Sequence, residues 1–253
     1  MKTFLTTAGT LLALAAAACG CTPHLPGGPA GPQGTTGPQG TAARPGGPAL
    51  GALKELPVKG RAPKTGYDRI GKFGPAWSDA TTAPGGHNSC GTRNDILIRD
   101  LRDVRFRGKS HCTVASGTLP DPYTGQTIAF FRGPRTSLAV QVDHVVALSN
   151  AWQTGAQALT QQQREALAND PLELVAASGP ANNQKSDADA ASWLPSNKAF
   201  RCTYVARQIA VKAKYRLWIT PAERTAMTRV LETCPDQSLP RDDSQGVALN
   251  TPK

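Results

Sequence analysis

The chain has 253 residues, a formal net charge of +10 and a pI of about 9.6. Its hydrophobic fraction of 39% and charged fraction of 18% are those of an ordinary globular protein, not of a disordered one. The length allows one or two domains. The basic charge favours a polyanionic partner without choosing between nucleic acid, anionic lipid and a charged wall polymer.

The N-terminus has the pattern of an export signal. Lys2 precedes an apolar run from Phe4 to Ala18 that is too short for a comfortable membrane span. Residues 1–21 are therefore predicted to be a signal peptide, and the protein is predicted to be secreted or extracytoplasmic. The residues before Cys19 resemble a bacterial lipobox, so Cys19 is a candidate lipidation site that would anchor the protein to the outer face of the cell membrane. Cys21 is a second candidate, and an ordinary cleaved signal is the alternative.

Residues 22–62 are rich in proline and glycine and are predicted to be a disordered linker. Five Gly-x-y triplets between residues 28 and 42 suggest a collagen-like trimer stem as the alternative, but they are too few for a stable triple helix. The sequence assigns one folded domain to residues 63–235 and a disordered tail to residues 236–253.

Four cysteines of the folded region, Cys90, Cys112, Cys202 and Cys234, contain no C-x-x-C pair. This spacing favours two disulfides over a zinc knuckle. Among the possible pairings, Cys90–Cys112 and Cys202–Cys234 each close a short local loop and are the ones we predict. Each bond is expected to stabilise the fold by about 3 kcal/mol, because it restricts the unfolded chain.

Helix and strand signals are mixed along the folded region. Helices are predicted over about 93–102, from 147 to 155, from the capping box at 160–163 to 168, over about 197–218 after a Ser196 cap, and from the Thr220-Pro221-Ala222-Glu223 start to 234. Strands are predicted over 111–116, 127–131, 137–142 and 172–176, with turns at 121–125 and 178–180.

Asp143 and His144 stand side by side at the end of an apolar, β-branched run, and Asn182 and Lys185 follow about forty residues later. Oxygen ligands from an aspartate and an asparagine suit Mg²⁺. A histidine with a near-neutral pKa can take a proton from water. A lysine can neutralise charge on a phosphate. These residue types together predict a metal-dependent phosphodiesterase site.

The ordered motifs of this region resemble the secreted branch of the HNH endonuclease superfamily, and most closely the C-terminal domain of GmrSD-type restriction enzymes. The residues that carry the resemblance are Val142-Asp143-His144-Val-Val-Ala-Leu148, Ala151-Trp152, Gly155-Ala156, Arg164, Asn169-Asp170-Pro171-Leu-x-Leu174, Asn182-x-x-Lys185 and Trp193-Leu-Pro195. The resemblance covers roughly residues 93–234. It implies an α+β fold with a ββα-metal core, added helices and a small disulfide-stapled β region.

The resemblance also implies a role for each residue of the site. His144 would be the general base, Asp143 and Asn182 ligands of Mg²⁺, Mn²⁺ or another divalent cation, and Lys185 a catalytic cation. The middle residue of the HNH motif is usually an asparagine that steadies the histidine, and Glu173 stands in its place here. An ionised glutamate cannot donate a hydrogen bond, so Asn169 and Asn150 remain alternatives for this position.

Basic residues outside the motif form a candidate nucleic-acid-binding surface. The predicted contacts are Arg132, Arg135, Lys198 and Arg201, and Arg207, Lys212, Lys214 and Arg216 extend the set. The alternative for these residues is a solvated basic helix face. The predicted function is thus an exported endonuclease acting on DNA rather than RNA, and the competing hypothesis is a non-catalytic envelope protein that binds DNA or an acidic wall polymer.

Overall fold

The computed structural model describes residues 48–240 and shows a mixed α+β fold. The helices are α1 (Ala49–Glu55), α2 (Arg69–Phe73), α3 (Thr92–Asp100), α4 (Leu148–Gln153), α5 (Gln161–Asn169), α6 (Gly179–Lys185), α7 (Arg201–Lys214) and α8 (Pro221–Leu231). The strands are β1 (Arg102–Phe106), β2 (Val114–Pro120), β3 (Thr127–Phe131), β4 (Val140–His144) and β5 (Leu174–Ser178). The predicted signal peptide with Cys19, the linker up to residue 47 and the tail from residue 241 lie outside the described residues.

The strands form two separate antiparallel sheets. Strands β1, β2 and β3 make a three-stranded meander, and β4 pairs with β5 in a two-stranded ribbon. A small hydrophobic core lies between the two sheets and contains Phe130 from the meander and Val142 and Leu174 from the ribbon. A larger core contains buried residues of α1, α4, α5, α7 and α8, so the ribbon is covered on both faces.

Local sequence signals explain the best-predicted helices. Thr160 and Gln163 form a complete capping box at the start of α5, as do Thr220 and Glu223 at the start of α8. In each, the threonine side chain accepts a hydrogen bond from a free backbone N–H of the first turn, and the side chain of the third helical residue accepts one from the threonine N–H. Both helices were predicted, and the structure confirms them.

The predicted disulfides are both present, Cys90–Cys112 and Cys202–Cys234. The first joins the loop before α3 to the residues just before β2, and the second joins α7 to the residues just after α8. The turn predicted at residues 121–125 is also confirmed, since it connects β2 to β3. Within the described part of the chain, every helix is too short or too polar to span a bilayer.

The prediction of a linker up to residue 62 is wrong for its last part. Helix α1 lies within the predicted linker, and its residues Ala49, Ala52 and Leu53, with Leu56 just after it, are buried in the larger core. These positions have the i, i+3, i+4, i+7 spacing of one helix face. The proline and glycine around them obscured that pattern. The predicted start of the folded domain at residue 63 is therefore too late.

The predicted tail also begins too early. Ser238 forms a β-bridge with Pro48, and Leu239 is buried in the larger core. The two ends of the described chain therefore meet and close the domain together. One apolar residue in a polar stretch is a weak sequence signal, because burial of Leu239 depends on α1.

Three further boundaries differ from the predictions. Residues 136–139 form a 3₁₀ turn before β4, and the region from Lys198 contains a 3₁₀ turn followed by α7, which ends at Lys214 and not near Trp218. The turn predicted at residues 178–180 is the first turn of α6, where the Ser178 side chain accepts a hydrogen bond from the Ala181 N–H. Helix α2 and strand β1 were not predicted.

Candidate active site

The ribbon and helix α6 place the predicted site residues. In the ribbon, Asp143 pairs with Val175 and His144 pairs with Leu174. Ser178 ends β5 and caps α6, so the helix turns back onto the ribbon without a connecting loop. The chain order strand, strand, helix therefore brings residues forty positions apart together.

The Asp143 side chain is buried on one face of the ribbon and accepts hydrogen bonds from two side chains. The Tyr123 hydroxyl donates to Asp143 Oδ2 over 2.5 Å, and Lys185 Nζ lies 3.0 Å from both carboxylate oxygens. Burial raises the pKa of Asp143, while the charge of Lys185 and the two hydrogen bonds oppose that rise. Burial also raises the pKa of Tyr123 well above its usual value, which keeps the hydroxyl a donor.

Lys185 is fully buried and joins α6 to the ribbon. Its ammonium group donates to Asp143 and, over 2.8 Å, to the carbonyl oxygen of His144. A buried ammonium is tolerated only when it is paired and hydrogen-bonded, and both conditions hold here. Lys185 therefore holds the end of β4 in place. Its ammonium group is buried and is not exposed for contact with a phosphate.

His144 faces the opposite side of the ribbon, as successive strand residues do. Its Nε2 lies 3.0 Å from the carbonyl oxygen of Ala168, and the Trp77 ring stacks on the imidazole at a centroid distance of 5.6 Å. Because burial disfavours the charged form, the pKa of His144 falls to about 3. The imidazole is therefore neutral at pH 7. A carbonyl only accepts, so the proton is on Nε2 and the lone pair on Nδ1.

Glu173 is fully buried and holds the loop that follows His144. Its Oε2 accepts a hydrogen bond from the Val146 N–H over 3.1 Å, and its backbone carbonyl accepts from the Val145 N–H over 2.8 Å. Burial raises the pKa of Glu173 well above its usual value, which favours the protonated acid. The alternatives Asn169 and Asn150 are also buried, but Asn169 donates to the Glu165 carbonyl within its own helix.

Asn182 lies one turn before Lys185 on α6 and meets a different residue of β4. Its amide Nδ2 donates to Gln141 Oε1 over 2.8 Å. Gln141 and Asp143 are two residues apart on the same strand face, which separates them by about 6.6 Å. The structure therefore brings Asn182 to the ribbon but pairs it with Gln141 and not with Asp143.

The donors present do not fit a divalent cation. Both oxygens of Asp143 are bonded to Lys185 and Tyr123, and the Asn182 amide is bonded to Gln141. An ammonium group thus stands where the resemblance implies a cation. The described residues contain one other cluster of ligand types, Cys90, His111 and Cys112, but its two cysteines are joined in a disulfide. A disulfide sulfur is not the thiolate that a metal requires.

The predicted basic surface divides into separate groups. Arg132 and Arg135 lie at the end of β3, with Arg132 bonded to Asn94 Oδ1 over 2.6 Å, while Lys198 and Arg201 lie at the start of α7. Two members of the extended set are not on the surface. Arg207 is buried and donates to backbone carbonyls of residues 171, 172 and 174, and Lys212 is buried against Glu223. Both the nucleic-acid-contact prediction and the solvated-face alternative are therefore wrong for Arg207 and Lys212.

Several residues that support the site were not singled out from the sequence. Tyr123 bonds to Asp143, Trp77 covers His144, and Tyr204 and Gln208 of α7 both donate to the Val145 carbonyl. A tyrosine beside a turn proline and a tryptophan in an irregular loop carry no local signal of such contacts. Both contacts depend on tertiary packing across 20 residues or more.

Two comparisons with known proteins bear on this arrangement. Residues 91–230 match the GmrSD restriction endonucleases, C-terminal domain. The chain belongs to this family. A relative described as an "uncharacterized secreted protein" of Arthroderma benhamiae is 37% identical over 188 residues, which are 74% of this chain and 84% of the relative. The GmrSD-like range contains the ribbon and α6, whereas α1 and α2 precede it.

Proposed function

We propose that this protein is an exported endonuclease that hydrolyses phosphodiester bonds of nucleic acid, DNA in preference to RNA. The observation that carries the proposal is the state of His144. It ends a strand of the ribbon as a neutral imidazole whose Nε2–H is held by Ala168, so Nδ1 keeps a lone pair. Because the chain belongs to a restriction endonuclease domain family, we propose that this base acts in the hydrolysis of nucleic acid.

In the proposed reaction, His144 Nδ1 takes a proton from the water whose oxygen attacks phosphorus. The bond from phosphorus to the leaving sugar oxygen breaks, and that oxygen takes a proton from solvent. A base with a pKa of about 3 is weak. A bound phosphodiester carries a negative charge, and a nearby opposite charge raises the pKa of an imidazole. The substrate would thus bring the base closer to its working range, and free protein would keep it neutral.

Asp143, Lys185 and Glu173 act in this proposal as positioning residues. Lys185 holds the His144 carbonyl and Asp143, and Glu173 holds the two backbone N–H groups that follow His144. Strands β4 and β5 with α6 would be the ββα unit of an HNH-type site, with Glu173 in the place of the middle residue. No step of the proposed mechanism uses a divalent cation such as Mg²⁺ or Mn²⁺, because Lys185 already neutralises the charge of Asp143. The cleavage assay is run with and without these cations.

Export is part of the same proposal. Two disulfides suit an oxidising compartment, and the Arthroderma relative is described as secreted. Residues 1–21 would direct export, and Cys19 would be the site of lipid attachment if the protein stays at the membrane.

Cleavage of labelled DNA and RNA tests the proposal. Full-length wild type, His144→Ala and a matched control, His111→Ala, are assayed with Mg²⁺, with Mn²⁺ and with EDTA. We expect His144→Ala to lower the cleavage rate by about 10²–10⁴-fold, the usual contribution of a general base. His111 is exposed, so its replacement should leave the rate unchanged.

The second candidate function is a non-catalytic envelope protein that binds a polyanion. The closed Lys185–Asp143 pair favours it, because that pair fills the expected cation position. Cleavage by neither wild type nor control under any metal condition, or equal cleavage by all three proteins, would contradict the nuclease proposal. Tight polyanion binding without cleavage would then support the second candidate.

A further inference from the structure

The three-stranded meander presents one face away from the small core. Phe130 and Leu119 point inward and are buried, whereas Phe131 points outward and is 61% exposed. Residues directly opposite each other in an antiparallel pair share a face. The register therefore aligns Arg105, Ser116 and Phe131 in one outward row, and Arg102, Thr118 and Ala129 in the next. We call these six residues the sheet platform.

A backbone irregularity puts both arginines on this face. Arg102 and Arg105 are three residues apart, so a regular strand would point them to opposite sides. The pairing register shifts between them, and Asp103 has a φ of 53°, in the left-handed region that non-glycine residues seldom adopt. Such bulges redirect side chains and are frequent beside functional sites.

The positive charge of the platform is not neutralised within the described chain. Among residues 48–240, the ion pairs with carboxylates do not include Arg102, Arg105, Arg107 or Arg132. Arg107 and Arg132 line an open cleft of about 550 Å³ with Gly133 and Ser137. Arg107 and Arg132 directly follow the last residues of β1 and β3, so the cleft lies at the end of these two strands, next to the platform residues Arg105 and Phe131.

We propose that the sheet platform and this cleft bind single-stranded nucleic acid. Phe131 would stack on an unpaired base, and Arg102 and Arg105 would contact the flanking phosphates, with Arg107 and Arg132 receiving the next part of the strand. An exposed aromatic ring with cations around it is the arrangement by which proteins hold single strands without reading their sequence. The proposal names the substrate form of the nuclease proposed above and rests on that function.

An unpaired strand fits this face better than a duplex does. The faces of paired bases are already stacked within a helix, so Phe131 would gain no base contact from duplex DNA. The small side chains of Ser116, Thr118 and Ala129 leave the area beside the ring open. Arg105 and Phe131 stand on the two outer strands, about 10 Å apart, so a phosphate and a base can be held at once.

Fluorescence anisotropy with labelled dT12 and rU12 in EDTA tests the platform without cleavage. The proteins are full-length wild type, Phe131→Ala, Phe131→Trp, Arg105→Ala and two matched controls. Ile70→Ala removes an equally exposed apolar side chain on α2, and Arg229→Ala removes an exposed arginine on α8. A blunt 12-base-pair duplex is the competing ligand.

We expect Phe131→Ala to weaken single-strand binding about tenfold, the effect of losing one stacked base, and Phe131→Trp to restore it. Arg105→Ala should lower the slope of log Kd against log salt concentration by about 0.7, because one phosphate contact is lost. Both controls should stay within twofold of wild type. Loss with dT12 alone or rU12 alone names the preferred strand, and either supports the proposal.

Wild-type affinity for Phe131→Ala, or tighter binding of the duplex than of both single strands, would overturn the platform. This result is separable from the proposed function. Binding in EDTA that depends on Phe131, combined with no cleavage under any metal condition, would reject the nuclease and keep the platform. Cleavage that depends on His144 but not on Phe131 would reject the platform and keep the nuclease.

Discussion

The ribbon site and the sheet platform use positive charge in opposite ways. In the ribbon site, Lys185 is fully buried and its ammonium group is committed to Asp143 and to a carbonyl of β4. On the platform, Arg102 and Arg105 are exposed and have no carboxylate partner among the described residues. One cation maintains structure, and the others are available to an external anion.

The difference shows why a net charge of +10 does not describe a binding surface. Lys185, Arg207 and Lys212 contribute to that charge but are buried with internal partners. The charge that a polyanion meets comes from residues that have no carboxylate partner, such as Arg102 and Arg105. A buried cation should therefore affect stability when it is replaced, and an exposed one should affect binding.

Replacing Lys185 is expected to give the largest effect on stability. Lys185→Met leaves Asp143 buried without its counter-ion, so we expect a loss of about 3–5 kcal/mol in the free energy of unfolding. Arg105→Met makes the same chemical change on the platform and should alter stability by less than about 0.5 kcal/mol. Urea denaturation of both variants measures the contrast.

The double variant Lys185→Met/Asp143→Asn guards against a variant that fails to fold. Removing both charges should recover part of the lost stability, because no unpaired charge remains buried. If the single variant Lys185→Met is as stable as wild type, the Lys185–Asp143 pair does not stabilise the fold. The contrast with the platform would then be wrong.

Glu173→Gln should give a smaller effect that depends on pH. Burial raises the folded-state pKa of Glu173, so above its unfolded pKa of about 4.5 the folded protein holds a proton that the unfolded chain has lost. Wild-type stability therefore falls as pH rises through that window. Glutamine keeps the acceptor for the Val146 N–H and cannot ionise.

We expect Glu173→Gln to be more stable than wild type by about 1–2 kcal/mol at pH 8 and to match it near pH 4. Thermal denaturation across this range checks the difference between the two proteins. A variant that loses stability at pH 8 would show that the ionised carboxylate is needed in the ribbon site, where we place a protonated acid.

Local patterns were enough to predict much of the fold. The capping boxes at Thr160 and Thr220, the turn at residues 121–125 and both disulfides depend on residues close in sequence or on loop length. Helix α1 was missed because its apolar face is short and surrounded by proline and glycine. Its stability comes from packing against α7 and α8, which a local pattern cannot show.

Only part of the candidate site could be predicted from the sequence. The motif named Asp143, His144, Glu173 and Lys185, and the ribbon with α6 does bring them together. The sequence could not show that Asn182 donates a hydrogen bond to Gln141. It also could not show that Tyr123 donates one to Asp143, or that the Trp77 ring stacks on His144. The platform was missed because strand β1, which carries Arg102 and Arg105, was not predicted, and the bulge at Asp103 that puts both arginines on one face has no local sequence signal.

Single-turnover cleavage of a labelled single strand over a range of protein concentrations tests the division of roles most directly. We predict that Phe131→Ala raises the half-saturating protein concentration about tenfold and leaves the plateau rate within twofold of wild type. We predict that His144→Ala lowers the plateau rate at least about a hundredfold and leaves half-saturation within twofold. A fall in plateau rate for Phe131→Ala, or an unchanged plateau rate for His144→Ala, would contradict the account.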